Sequence, residues 1–453
     1  MKHSHHIPTA FKKEFTDPDV WRSRAVVVGA AAIAGFTVVG FTSLCEHAID
    51  LFFMLRTDCK WLPLLWMPLW TAVIVWLTRR YVPGAAGSGI PQVMATLDTA
   101  VAGPQRGLFV SLKLSVAKIL LTAWGLLAGL SLGREGPSVQ IAAGVMLAAR
   151  RFLPRRSTVT AHGLLVAGGS AGIAAAFNAP LAGVMFAIEE LSRAPEQRSS
   201  GLLMAAIVLA GMIAVSVFGN ATYFGVIHPG DIGMALLGPG LLVALFSGVA
   251  GGLFSRLLIV SLNGNKRDAF SRLRLRRPVL FAAGCALAVA VIGQLTDGAI
   301  FGSGYGHTRA MLQGSESAPA VYVLFKYIAT WLTVWSGVPA GIFAPSLAIG
   351  AALGNDVALL THYPQAPALI ALGMVGFLAA ATQAPLTAFI IVMEMVDGHS
   401  MVLSLMACAV IAATVSKVLS APLYHTLSLM QLQRLPQPAP EMGSAPAAAP
   451  LTS

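Results

Sequence analysis

The chain is poor in charge: only 11% of its 453 residues are Asp, Glu, Lys or Arg. An ordinary soluble protein carries about a quarter, so a water-soluble domain is excluded as the body of this chain. Cysteine is scarce as well. Cys45, Cys59, Cys285 and Cys408 are the four present. None sits at a metal-ligand or redox spacing, so they are expected to pack as small apolar side chains, with no metal and no cofactor bound. Also missing are the short alternating segments that a transmembrane barrel requires. The first 24 residues, with "FKKEF" and "WRSR", lack an apolar stretch followed by a small-residue cleavage site. That argues against a cleaved signal peptide.

What is present is apolar surface. Hydrophobic residues make up 56% of the chain, and its mean hydropathy is +0.74. Crossing about 30 Å of hydrocarbon takes roughly 20 residues of helix. Stretches 25–44, 62–78, 107–132, 202–226, 278–295, 318–338 and 400–421 are the clearest candidates. The fold class is therefore an all-α polytopic membrane protein. The net charge of +11 is scattered among membrane-flanking loops, most densely in "RRFLPRR" (150–156) and "NKRDAFSRLRLRR" (265–277). These read as positive-inside topology signals rather than as a nucleic-acid surface.

Internal similarity divides the chain. "KILLTAWGLLAGLSLGREGPSVQI" (118–141) matches "KYIATWLTVWSGVPAGIFAPSLAI" (326–349) at an offset of 208, pairing Lys118 with Lys326, Thr122 with Thr330, Gly133 with Gly341 and Pro137 with Pro345. "NAPLAGVMFAIEEL" (178–191) matches "QAPLTAFIIVMEMV" (383–396) at 205, and "GSGIP" (87–91) has an echo in "GSGYG" (302–306) at 215. The order is the same in both halves, and loop-length changes explain the drifting offset. The expected organisation is a polar cytoplasmic segment 1–24, a first membrane half 25–262, a basic linker 263–277, a second half with a final helix 278–430, and a disordered Pro/Ala-rich tail 431–453. Related membrane halves commonly place a substrate site where they meet, often built from broken helices, and inversion of one half is the expectation here. The sidedness of the loops stays open, because inversion sets residues 265–277 against the positive-inside rule.

Three interruptions, "GSGIP" (87–91), "GREGP" (133–137) and "GIFAP" (341–345), put glycine and proline inside apolar surroundings. Such backbone survives at membrane depth only when buried in protein or lining a polar cavity. Each is followed by residues able to resume a helix, so its N–H groups become unpaired helix-start donors with partial positive charge, able to hold an anion without a lysine. Dipoles hold an ion loosely enough to release it. Ser88 adds a hydroxyl donor.

Glu135 stands inside one interruption. As a carboxylate it is itself an anion that can occupy an amide-lined site; burial favours its neutral form and helix-end amides its charged form. It is a candidate gate, the alternative being an Arg134–Glu135 ion pair that steadies a loop. Its repeat partner is Phe343. Glu189 matches Glu394, while Glu190 matches Met395. Glu190 is either an interfacial acid at a helix end or a proton acceptor on a route separate from the anion path. One further pattern, "GGSAG" (168–172) with His162 nearby, has the G-x-S-x-G form of a serine hydrolase, which needs a strand-to-helix turn beneath Ser170. The run "LLVAGGSAGIAAAF" reads better as small residues that let helices approach closely.

"GSGIP", "GREGP" and "GIFAP" in that order, with a late tyrosine in "LYHTL" (423–427), resemble the CLC family of chloride channels and proton/chloride exchangers, from about residue 25 to 428. The resemblance implies that Ser88, Tyr424 and the backbone amides of Ile342 and Phe343 coordinate a central anion. It makes Glu135 the external gating glutamate and Glu190 the internal proton glutamate. Gly87, Gly89, Pro91, Gly133, Arg134, Gly136, Pro137, Gly341 and Pro345 shape the motif backbone. It further implies chloride and protons as the transported species, a homodimer in membrane lipid with one pathway per subunit, and a bacterial inner membrane for so compact a member. Ser88 fits chloride preference, and Gln92 departs from the acid many relatives carry. The readings are a chloride/proton exchanger, then a chloride channel without obligatory coupling, and remotely an intramembrane serine hydrolase; the first two make the chain a transporter rather than an enzyme.

Overall fold

The computed structural model describes residues 17–99, 101, 103–192, 200–219, 222–227, 233–264, 268–315, 319 and 321–433. The tail after residue 433 and the first sixteen residues lie outside them. Among the described residues there are helices and no named strands, and seven helices are long and apolar enough to cross a bilayer.

Helix α1 (Pro18–Asp58) opens the fold. It begins within the polar segment 1–24, where Asp17 caps it by accepting from Asp19 N–H at 2.9 Å and Pro18 supplies a pre-set first turn. At ~1.5 Å per residue its 41 residues span about 60 Å, twice the hydrocarbon thickness, so it must tilt or protrude. There follow α2 (Pro63–Tyr81), the short α3 (Ile90–Leu97), α4 (Leu112–Leu127), α5 (Glu135–Ala148), α6 (Ala161–Ala176), α7 (Pro180–Phe186) with a wide turn over Ala187–Leu191, and α8 (Ser200–Phe218). The span expected over 107–132 stops at Leu127. Gly129 takes φ +87° with the Phe52 ring against its α-carbon, where a Cβ would meet Phe52 Cζ at 2.3 Å.

The remaining helices are α9 (Leu237–Asn263), α10 (Ala269–Arg276), α11 (Pro278–Leu295), α12 (Tyr305–Leu312), α13 (Val321–Ser336), α14 (Phe343–Thr361), α15 (Ala366–Thr382), α16 (Pro385–Val396), α17 (Val402–Leu419) and α18 (Leu423–Leu432). Their order reproduces the first set. α3 and α12 are both eight residues long at an offset of 215, α4 and α13 both sixteen at 209, and the end points 180–191 and 385–396 coincide at 205. In this register α9 corresponds to α1, and α10 has no counterpart.

Reciprocal contacts relate the two sets. Gly133 N–H donates to Gly341 C=O at 2.8 Å while Gly341 N–H donates to Gly133 C=O at 3.0 Å, an antiparallel exchange between repeat partners. A residue that trades both bonds with its own counterpart sits on an approximate two-fold axis. Farther along, Glu189 accepts from Leu386 and Thr387 N–H at the start of α16, and Glu394 accepts from Leu181 and Ala182 N–H at the start of α7.

The protein interior is built on helices apolar all round, as deep burial demands. Every residue of α6 is buried except His162, which is partly so. α6 lies so close to α5 that a Cβ on Gly168 would come within 2.7 Å of Ala143 Cα, and one on Gly172 within 2.5 Å of the Ser138 carbonyl oxygen. Small residues here serve close approach, as the sequence implied. They also dispose of the hydrolase reading: Ser170 is fully buried in mid-helix, with no strand-to-helix turn beneath it.

Candidate functional site

Each of the three interruptions ends in the first turn of a helix: "GSGIP" leads into α3, "GREGP" into α5 and "GIFAP" into α14. The Gly133–Gly341 exchange brings the last two into direct contact, and "GSGIP" joins them through Gly87. Its N–H donates to Val338 C=O and its C=O accepts from Ala340 N–H, both at 3.1 Å. Contact is close enough to demand glycine. A Cβ on Gly341 would lie 2.7 Å from the Gly133 carbonyl oxygen, and one on Gly136 would lie 2.3 Å from Ser88 Oγ. Gly87 and Gly89, at φ +73° and +109°, turn the chain on either side of Ser88 in a region other residues rarely enter. Gln92 fixes that turn. Its Oε1 accepts from Gly89 N–H and its Nε2 donates to Ala86 C=O, a donation an acid in its ionised form could not make.

The loop carrying Ser88 is also held from α4. Lys118, with no exposed surface, donates from Nζ to Ala85 C=O at 2.8 Å and to Gly87 C=O at 2.6 Å. Its repeat partner Lys326 donates to Ile300 C=O at 2.9 Å and Gly302 C=O at 2.8 Å. The lysines thus bear on carbonyls two residues apart in both halves, and oxygen dipoles surround a charge that burial alone would expel.

Ser88, Ile342 and Tyr424 line one cavity of about 100 Å³, together with Gly87 and Pro91. The buried Oγ of Ser88 and hydroxyl of Tyr424 approach one another without a well-formed hydrogen bond between them. Two hydroxyl donors and a helix start therefore converge there, donors suited to a small anion. Phe343 is absent from the lining; its ring stacks on Tyr424 at 6.0 Å and 11° and touches Phe177 at 6.0 Å.

Glu135 is 1% exposed, and its Oε2 accepts from Ala344 N–H in the first turn of α14 at 3.4 Å. The carboxylate thus occupies a helix start, the position an anion would seek. Arg134 does not pair with it. The guanidinium turns to Glu46 of α1 (2.9 Å) and the Thr42 carbonyl (3.3 Å), with Tyr223 hydroxyl at 2.9 Å, so the expected alternative of an Arg134–Glu135 ion pair is set aside. Tyr223 extends an aromatic series that no spacing in the sequence announces: its ring meets Phe177 at 6.5 Å.

Glu190 lies in a second cavity of about 220 Å³, lined also by Asp98, His162 and His425. α3 and α18 separate the two cavities. Pro91, Gln92, Tyr424, Leu427 and Gln431 face the first, whereas Met94, Leu97, His425, Ser428 and Leu429 face the second. Glu189, one residue before Glu190, is committed to capping α16. Sequence reasoning missed Arg274. It lines the first cavity although residues 265–277 read only as a topology signal, and nothing in "RLRLRR" distinguishes it from its neighbours.

Dipoles, hydroxyls and a carboxylate meet inside a helical membrane scaffold, and the class so defined is that of multi-pass membrane proteins that move small ions. Residues 70–417 match the family model described as "Voltage gated chloride channel", and the chain belongs to that family. It is 31% identical over 432 residues to the H(+)/Cl(-) exchange transporter ClcA of Vibrio cholerae serotype O1, covering 87% of this chain and 89% of the relative. ClcA of Salmonella paratyphi A is 30% identical over 367 residues, 78% of this chain and 75% of the relative. Among solved structures, a slow cyanobacterial Cl-/H+ antiporter matches with a TM-score of 0.77 at 24% identity, covering 91% of this chain and 98% of that one. A CLC-type fluoride/proton antiporter matches with 0.74 at 22%, covering 91% and 99%. At such identities the structures establish the shared fold.

Proposed function

We propose that this protein exchanges chloride for protons across a bacterial inner membrane, with Glu135 as the gate and Glu190 as the proton acceptor from the opposite aqueous phase. One observation carries the reading: the Glu135 carboxylate sits on the Ala344 N–H at the start of α14. An acid in that position competes with an anion for the same dipole and gives way on protonation, so proton arrival and anion passage become alternating events. Ser88, Tyr424 and the amides of Ile342 and Phe343 hold the chloride, and the serine hydroxyl favours chloride over the other anions such scaffolds carry. A second cavity around Glu190, walled off from the first by α3 and α18, supports a proton route that does not share the anion path. The relatives named for H(+)/Cl(-) exchange support the exchange itself.

The second half of the repeat opens at α9, the counterpart of α1, and the antiparallel Gly133–Gly341 exchange supports inverted halves. The proposed assembly is a pair of copies, each keeping its own pathway.

The test is the purified protein in sealed liposomes with a chloride gradient and no proton gradient. Uphill proton movement is expected, lost with chloride flux retained in Glu190→Gln. Brisk chloride flux with no proton movement in the unaltered protein would refute exchange and leave a passive chloride channel.

A further inference from the structure

Arg134 stands beside the gate carboxylate, yet its charge is answered from α1. Nη1 donates to Glu46 Oε1 at 2.9 Å and to Thr42 C=O at 3.3 Å, and Nη2 donates to the Tyr223 hydroxyl at 2.9 Å. The guanidinium also lies 5.8 Å from the centre of the Tyr223 ring. Exposure differs sharply across the pair: the Arg134 side chain is 9% exposed and that of Glu46 50%. The neighbours of Glu46 on α1 face elsewhere. His47 Nδ1 bonds the Ser43 carbonyl at 2.7 Å, and Asp50 is exposed one turn on. Beyond Tyr223, the Tyr305 hydroxyl donates to Tyr223 C=O at 2.8 Å, and the exposed Arg309 donates to the Tyr305 hydroxyl at 3.3 Å. Thr42 and Tyr223 would therefore keep the guanidinium in place even without Glu46.

Buried charges are screened little, so Arg134 acts on the Glu135 carboxylate without touching it. A guanidinium with no partner would favour the charged carboxylate on its helix start and oppose its protonation. One already paired with Glu46 presents little more than a dipole. Among the described residues, Cys45, Tyr223 and Tyr424 also lie in electrostatic reach of Glu135. Thiols and phenols are ordinarily neutral where a carboxyl titrates, so the Arg134–Glu46 pair dominates the field there. We infer that Glu46 is a positioning residue for the gate: it holds the Arg134 guanidinium and offsets its charge, so that protonation can lift Glu135 from the start of α14. The inference rests on the proposed role of Glu135 as a proton-released gate and adds the residue that sets how readily it is released.

Chloride efflux from liposomes holding the full chain, measured across pH, tests it. Glu46→Gln should move the half-maximal pH of efflux about one unit toward acid, because the uncompensated guanidinium favours the seated carboxylate and more protons are needed to release it. Glu46→Asp, which keeps the charge, should restore the midpoint. Removing both charges in Glu46→Gln with Arg134→Gln should bring it back to within about a third of a unit of the unaltered protein, which repair of a damaged scaffold would not do. Glu46→Cys puts the charge under chemical control in a protein already folded. A sulfonate-bearing methanethiosulfonate should reverse the acid shift of that variant, and the neutral methyl reagent should not; unaltered protein treated alike controls for the native cysteines. An unmoved midpoint in Glu46→Gln, a shift toward alkali, a shift that the double variant keeps, or equal effects of the two reagents overturns the inference. A pH dependence that survives in Glu135→Gln refutes the gate itself, and the inference falls with it.

Discussion

The two halves use matching residues to build and differing residues to act. Lys118 and Lys326 each clamp two carbonyls, Glu189 and Glu394 each cap a helix of the other half, and Gly133 and Gly341 exchange backbone bonds. Where the halves diverge, the divergence falls at the site. Glu135 faces the start of α14, and its counterpart Phe343 stacks on Tyr424. Glu190 lines a cavity, and its counterpart Met395 is buried core. Even a shared serine is placed differently: Ser88 lines the cavity shared with Tyr424, while Ser303 accepts from Tyr305 N–H within its own loop. A duplicated scaffold holds its shape through residues common to both copies, which leaves one copy free to place protonatable groups.

The strongest way to break this comparison is at Glu135. Glu135→Gln should abolish proton transport completely while chloride flux persists and loses its pH dependence, because an amide cannot cycle between anion and neutral acid. Folding should survive, since Phe343 fills the matching position without a charge. Loss of chloride flux together with proton transport, in a protein that still folds, would make Glu135 part of the scaffold and erase the distinction.

The lysines come next in size. Lys326→Met takes the lysine from the Ile300 and Gly302 carbonyls, whereas in Lys118→Met the Gly87 carbonyl keeps Ala340 N–H and Ala85 alone loses its partner, at about 1–3 kcal/mol for each buried acceptor left unpaired. Thermal stability in detergent should therefore fall in both variants, and further in Lys326→Met. Chloride affinity should fall in Lys118→Met alone, because only its loop leads into Ser88. An equal change of affinity in both would show that the second loop also bears on the anion.

Much of this was legible in the sequence because glycine, proline and charge stand out against apolar surroundings. "GSGIP", "GREGP" and "GIFAP" each mark a helix start, and the offsets of 208, 205 and 215 recur in the paired helices. Contacts across the repeat were harder. The sequence paired Glu189 with Glu394 as equivalents, yet that each caps the other half's helix is a consequence of the two-fold, which no single half displays. The start of α1 at Pro18 was readable from Asp17–Pro18 but was hidden by the surrounding charges. Arg134 went to Glu46, 88 positions away, in place of its neighbour, since helix geometry points adjacent side chains apart. Arg274 had no local signature at all.

A smaller effect belongs to the reciprocal caps. Glu189→Gln and Glu394→Gln each remove a negative charge from a helix start while keeping one acceptor oxygen, for about 1 kcal/mol. The two losses should match within error by chemical unfolding. A large excess in Glu189→Gln would show that its proximity to Glu190 matters beyond capping, and proton flux in that variant would reveal how.

The smallest expected effect lies where the halves have no correspondence. α1 and α2 are joined by residues 59–62, whereas α9 and α11 are bridged by α10. The Ser271 backbone N–H holds the exposed Asp268 carboxyl below the usual aspartate range, against a weaker opposing pull from desolvation. A depressed folded-state pKa means that the cap stabilises α10 above the ordinary aspartate value and that this contribution fades as pH falls through the folded one. Hydrogen exchange of α10 amides, corrected for its intrinsic pH dependence, should therefore show constant protection from neutral pH down to the ordinary aspartate range and a gain in opening below it. Asp268→Asn should show no such step, because its cap does not titrate. If α10 opens only when Arg274 is also replaced, the helix is anchored by the guanidinium on the Ser261 and Leu262 carbonyls, and the cap is secondary.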